Sequence, residues 1–71
     1  MTNRKTALTN YATVYAAFLD TITVGGDKNV ALAYAVQDMN NQTKNLSEKD
    51  AAFYINDEAN YLTEKMAKVA A

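Results

Sequence analysis

The chain has 71 residues and a formal net charge of −1, which is enough for one small domain and leaves no room for a second. It contains no Cys and no His, which excludes disulfides, thiol nucleophiles, the usual zinc sites and the usual general base near neutral pH. We therefore expect a single domain over residues 1–71 that needs no cofactor or metal and is not an enzyme.

The first predicted helix spans about residues 6–23. Its apolar side chains recur every three or four positions, as on the buried face of a helix. These residues are Leu8, Tyr11, Ala12, Tyr15, Phe18, Leu19 and Ile22. Val14 and Phe18 widen the face, so we expect this helix to be central and to contact both others. Gly25 or Gly26 is expected to end it in a left-handed conformation.

The second predicted helix spans about residues 28–41, with Asp27 as its N-cap. One side of it carries Leu32, Ala35, Val36 and Met39. The polar stretch "NNQTKN" that follows favours turns and is expected to be a linker. One alternative concerns residues 22–30, where a β-branched run before Gly-Gly is also compatible with a hairpin. The helical pattern of "NVALAYAVQDM" favours a turn between two helices instead.

The third predicted helix spans about residues 48–69. Ser47 is expected to cap it, with Asp50 three residues on in a weak form of the capping box. Its apolar stripe runs to the C-terminus and consists of Ala52, Ile55, Ala59, Leu62, Met66 and Val69. The three segments together predict an all-α fold, a compact three-helix bundle.

Four aromatic residues lie outside these apolar stripes. At about 100° per residue, Tyr54 and Tyr61 lie to one side of the third helix's stripe, and Phe53 lies nearly opposite it. Tyr34 lies nearly opposite the stripe of the second helix. Tyr54 and Tyr61 have two interpretations: the edge of a second packing seam, where the ring is buried and the hydroxyl is wet, and part of a protein-binding surface that shares them with that seam. Phe53 and Tyr34 are better explained as anchors of a protein-binding surface.

Acidic residues accompany the aromatics of the third helix. Asp57, Glu58 and Glu64 are expected to form a polar rim around the binding surface and to favour a partner with a basic surface. Asp57 and Glu58 point about 100° apart on a helix, so they cannot share a proton as a catalytic pair.

The expected function is that of a non-enzymatic protein-interaction module. We expect a small inhibitor or antagonist that occupies a site on a larger protein, as phage anti-defence or anti-CRISPR-type proteins do. One alternative is a structural subunit that assembles with itself, for example as a homodimer. A second alternative is a small DNA-binding transcriptional regulator. Its recognition helix would present one Lys and two Asp to the phosphates, which argues against nucleic acid as a partner.

Membrane association and secretion are not expected. No apolar run approaches the roughly 20 residues of a membrane span. The apolar positions near the N-terminus are interrupted by Thr and Asn, unlike the core of a signal peptide. The expected location is the cytoplasm.

Overall fold

The computed structural model describes residues 3–70, which form three helices in chain order. α1 spans Arg4–Thr21, α2 spans Lys28–Thr43 and α3 spans Glu48–Ala70. No strand occurs in residues 3–70, so the predicted all-α three-helix fold is confirmed and the hairpin alternative is wrong. Residues 1, 2 and 71 of the predicted domain lie outside this range.

Both ends of α1 differ from the prediction. The helix begins earlier because the side-chain oxygen of Asn3 accepts a hydrogen bond from the backbone N–H of Thr6 at 2.8 Å and caps it. It ends at Thr21, and Ile22 is already extended with φ −121° and ψ 163°. The β-branched run after Thr21 favours this extended backbone. The prediction that a glycine ends the helix is therefore wrong; Gly26, with φ +143°, shapes the turn before α2.

The predicted N-caps of α2 and α3 are confirmed. Asp27 accepts from the backbone N–H of Asn29 at 2.8 Å. Ser47 Oγ accepts from the backbone N–H of Asp50 at 3.2 Å. α2 continues beyond its predicted end to Thr43, which is fully buried and donates through Oγ1 to the Met39 carbonyl at 2.8 Å. The linker is correspondingly shorter than the sequence suggested.

The core lies mainly between α1 and α3. Ile55 of α3 is fully buried, and small residues such as Ala7 and Ala59 let the two helices approach closely. The buried cluster consists of Ala7, Tyr11, Met39, Ala52, Ile55, Ala59 and Leu62. The predicted stripe of α3 is therefore confirmed except at its end.

Val69, at the end of that stripe, is 56% exposed. The reason is a difference in helix length. Arg4 and Glu48 are the first residues of α1 and α3 and lie side by side, so both helices begin at the same end of the bundle. The 18-residue α1 therefore ends before the 23-residue α3 does. Val69 thus extends past the helix against which it was expected to pack.

α1 is the central helix, as predicted. It packs against both other helices, whereas α2 and α3 contact each other little. The Cα positions extend over 34, 25 and 15 Å, so the described part of the chain is flattened. A cleft consequently remains between α2 and α3, with α1 as its floor.

Candidate protein-binding surface

Phe53 and Tyr61 of α3 face solvent, away from the core. Phe53 is 75% exposed and Tyr61 is 53% exposed, whereas Ile55 between them in sequence is fully buried. Phe53 borders a depression that also includes Lys49, Asp50 and Asn56. The predicted exposure of Phe53 is confirmed. The Phe53 ring therefore lies outside the core that the α3 stripe forms.

The charged residues in the middle of α3 are all acids, whereas Lys49 borders the Phe53 depression and Lys65 lies beside Tyr61. Between residues 50 and 64 the chain contains four acids and neither Lys nor Arg. The acids are Asp50, Asp57, Glu58 and Glu64. Asp57 and Glu64 are exposed, and Glu58 is partly buried. We name the set Phe53, Asp57, Tyr61 and Glu64 the acidic aromatic face; the other two predicted residues of α3, Tyr54 and Glu58, line the cleft between α2 and α3.

Tyr61 has a cation beside it. The Lys65 ammonium lies 5.4 Å from the centroid of the Tyr61 ring and 6.0 Å from that of Phe18 in α1. Both distances allow a cation–π interaction. Lys65 therefore limits the acidic aromatic face on its C-terminal side and links Tyr61 to the central helix.

Tyr54 lies at a packing seam, in agreement with one of its two interpretations. Its hydroxyl donates to the side-chain oxygen of Gln42 in α2 at 3.1 Å. Beyond this hydrogen bond the two helices leave the cleft open. We name it the tyrosine cleft: its floor is Tyr11 and Tyr15, its α2 wall is Asp38 and Gln42, and its α3 wall is Tyr54 and Glu58.

Tyr11 is buried at the floor of the cleft and has a raised pKa. Its side chain is only 7% exposed, and its ring stacks at a tilt on Tyr15 with centroids 5.7 Å apart. Burial, then the neighbouring Tyr15 and the carboxylates of Glu58 and Asp38, raise the pKa of Tyr11 to about 12. Each effect disfavours the phenolate, so Tyr11 is a neutral phenol at physiological pH.

Tyr34 lies apart from the other predicted site residues. It is 64% exposed on the outer side of α2, beside Val30, Ala33 and Gln37. Its predicted exposure is confirmed. The structure thus places Tyr54 and Glu58 together in the tyrosine cleft. It separates both from Phe53 at the start of α3 and from Tyr34 on α2.

Four residues of the tyrosine cleft were not singled out from the sequence as functional. Tyr11 and Tyr15 were assigned to the buried face of α1, Asp38 was left unassigned, and Gln42 was placed in the linker after the second helix. The spacing of four residues in each pair places both members on one side of a helix. That spacing was an available signal for Tyr11 and Tyr15, and for Asp38 and Gln42 only once α2 is known to continue to Thr43; it does not reveal that the two sides face the same gap.

The described residues contain no arrangement suited to metal binding. Across residues 3–69, no three acidic side chains converge in a way that could hold a metal ion. No helix in the described range is both long and apolar enough to cross a membrane. Comparison of the chain with protein-family models, curated proteins and solved structures finds no match. A function therefore has to be inferred from the residues of this chain.

Proposed function

We propose that this protein is a non-enzymatic interaction module that inhibits a larger protein by covering a basic site on its surface. The observation that carries the proposal is Phe53, an aromatic side chain that is 75% exposed and precedes a part of α3, up to residue 64, in which every charged residue is an acid. Exposed aromatics supply contact area at low entropic cost and often carry most of the binding energy of an interface.

The acids near the exposed aromatics favour a partner whose binding surface is basic. Asp57 and Glu64 are exposed, so their charges act mainly by steering association and by opposing acidic partners. A basic surface on the partner makes association faster at low ionic strength. Nucleic acid is a poor fit to this face, because phosphates would meet carboxylates.

The test is capture of the partner followed by measured affinity. The intact protein serves as bait in a lysate of the host cell, with Phe53→Ala and Tyr61→Ala as paired variants. Phe53→Ala is expected to weaken binding of the captured protein by about 2 kcal/mol or more, roughly 30-fold. Lys5→Ala, an exposed change on α1, is the matched control and should bind normally. Binding that is unaffected by Phe53→Ala and Tyr61→Ala would contradict the proposal.

Salt dependence provides a second measurement. If the partner site is basic, affinity falls as the salt concentration rises, and Glu64→Gln reduces that dependence. Affinity that is independent of salt would rule out the basic site while leaving the aromatic anchor intact.

A self-assembling subunit is the second candidate function, and a different surface supports it. An uncovered groove between α1 and α2 is lined mainly by apolar side chains, among them Leu8, Leu32 and Val36. Apolar grooves of this kind are often covered by a second copy. Sedimentation at high micromolar concentration is expected to show a dimer, and Ala33→Glu on the exposed edge of the groove is expected to dissociate it. A lone 7.8 kDa species would exclude this candidate.

A further inference from the structure

The first half of α2 carries no charge and is poorly buried. From Asn29 to Gln37 the chain contains no Asp, Glu, Lys or Arg. Val30 and Tyr34 in this stretch are 51% and 64% exposed, and none of residues 29–37 is buried. The buried residues of α2 both lie in its second half. A helix that faces water normally has charged or polar side chains on its outer side, so this half of α2 resembles an interface that is still uncovered.

Two depressions on this half of α2 join into one surface. One is the groove between α1 and α2, and the other lies beside Val30 and Tyr34. Asn29, Ala33 and Gln37 line both depressions, so the two meet along this row of residues. The row follows one side of the helix because its members are four positions apart. We name Asn29, Val30, Ala33, Tyr34 and Gln37 the uncharged α2 face.

The chemistry of this face matches that of a second copy. No charged residue of the described part of the chain lines either depression, so a charged protein would find no ionic partner there. The side-chain amides of Asn29 and Gln37 both donate and accept hydrogen bonds, so the amides of two copies can pair with each other. Ala33 between them is small and allows two helices to approach closely. A surface that complements itself in this way is suited to a two-fold dimer.

The acidic aromatic face is much less suited to self-association. Two copies that met there would bring Asp57 and Glu64 of one chain near the same acids of the other, and like charges repel. The uncharged α2 face avoids this repulsion. Small domains often gain stability by association when they lack disulfides and metal sites, and this chain has neither Cys nor His.

The charges at the two ends of the uncharged stretch favour an antiparallel pair. Lys28 lies five positions before Ala33, and Asp38 lies five positions after it. In an antiparallel pair centred on Ala33, Lys28 of each copy is level with Asp38 of the other, and the two helix dipoles oppose each other. A parallel pair would place Asp38 level with Asp38 and align the dipoles, which is less favourable. We propose that two copies of this chain associate through the uncharged α2 face, with their α2 helices antiparallel and closest at Ala33.

This inference rests on the second candidate function for the existence of a dimer and specifies the surface and orientation that form it. Because the chain has no Cys, an introduced thiol reports only its own position. A disulfide needs two Cβ atoms roughly 4 Å apart. Ala33→Cys, an exposed change, should therefore form a disulfide-linked dimer under mild oxidation. Asn60→Cys, at an exposed position of α3, is the matched control for random collision and should link at least about tenfold more slowly.

Asn29→Cys and Gln37→Cys test the orientation. In an antiparallel pair centred on Ala33, residue 29 of one copy is level with residue 37 of the other. Two copies of residue 29 are then about 12 Å apart along the helix axes, too far for a disulfide. We expect a mixture of the two variants to form the mixed disulfide, identified by mass spectrometry, about tenfold faster than either variant links to itself. Faster linking of each variant to itself would indicate a parallel pair and overturn the proposal.

Sedimentation of the natural chain separates this inference from the functions proposed above. A dimer in solution, combined with Ala33→Cys linking no faster than Asn60→Cys, would overturn the inference and leave the second candidate function standing. A lone monomer at high micromolar concentration would overturn both. The inhibitory function is tested separately, because the effect of Phe53→Ala on partner binding does not depend on how two copies associate.

Discussion

Arg4 binds Asn40 twice through one nitrogen, because its Nη2 donates to the side-chain Oδ1 at 2.6 Å and to the backbone carbonyl at 2.7 Å. The backbone N–H of Arg4 also donates to the Glu48 carboxylate at 3.1 Å. A single residue at the start of α1 thus joins the C-terminal part of α2 to the first residue of α3. All three helices are held together at this end of the bundle.

We predict that Arg4→Ala lowers the free energy of unfolding by about 1–2 kcal/mol, because hydrogen bonds from a charged donor contribute roughly this much. The neighbouring Lys5 is exposed, so Lys5→Ala should change stability by about 0.5 kcal/mol or less. Urea denaturation of both variants measures the difference. Equal stability of the two variants would show that the contacts of Arg4 are incidental.

Leu62→Ala should be severely destabilising, by about 2–4 kcal/mol, because Leu62 is buried in the main core cluster. A domain of this size has roughly 3–5 kcal/mol in total, so much of the variant should be unfolded at room temperature. Leu62→Met keeps the volume and is the matched control, expected to cost under about 1.5 kcal/mol. Circular dichroism during thermal unfolding measures both, and an unchanged melting temperature for Leu62→Ala would contradict the assigned core.

Phe53→Ala and Tyr34→Ala should leave the fold intact. Both side chains are mostly exposed, so each change should alter stability by about 0.5 kcal/mol or less. Ile55→Ala, two positions from Phe53 but fully buried, is the contrasting variant and should cost about 2–5 kcal/mol. The melting temperatures of the three variants measure these differences in stability. Unfolding of Phe53→Ala would mean that this ring belongs to the folding core and not to a binding surface.

Stability should fall at alkaline pH because of Tyr11. Its pKa is raised from 10.0 to about 12 in the folded protein, so the unfolded chain releases this proton first. The stability that neutral Tyr11 contributes is complete below pH 10 and is lost as the pH rises through about 12, at about 1.4 kcal/mol per pH unit.

Tyr11→Phe isolates this contribution, because phenylalanine keeps the buried ring and removes the titrating proton. Urea denaturation at several pH values from 8 upwards should show a shallower alkaline loss for the variant than for the natural chain. Parallel curves for the two proteins would show that Tyr11 titrates alike in the folded and unfolded states.

Much of the fold could be predicted from the sequence because its signals are local. Asp27 and Ser47 satisfy N–H groups only two or three residues away, and the α3 stripe is visible from spacing alone. The end of α1 was mispredicted because two local tendencies compete there. The extended preference of the β-branched run after Thr21 ends the helix before the glycines are reached.

The candidate site was harder to predict, for a physical reason. A helical projection places Phe53 outside the stripe of its own helix, and Phe53 is indeed exposed in the structure. A helical projection cannot show which seam between helices stays open. The sequence pattern predicts Tyr11 as a core residue, and Tyr11 is buried in the structure. It also forms part of the floor of a cleft. That second property depends on α2 and α3 remaining apart, which is a relation between distant segments.

The main interface of the bundle joins the first and last helices of the chain, and this arrangement constrains folding during synthesis. α1 leaves the ribosome first, but the α3 surface that buries most of it is translated last. At about 5–20 residues per second, the nascent chain spends a few seconds with Ala7 and Tyr11 lacking their main partners. A ribosome stalled before Ile55 should therefore carry an unfolded, protease-sensitive chain, and cooperative folding should begin only once α3 has emerged from the ribosome.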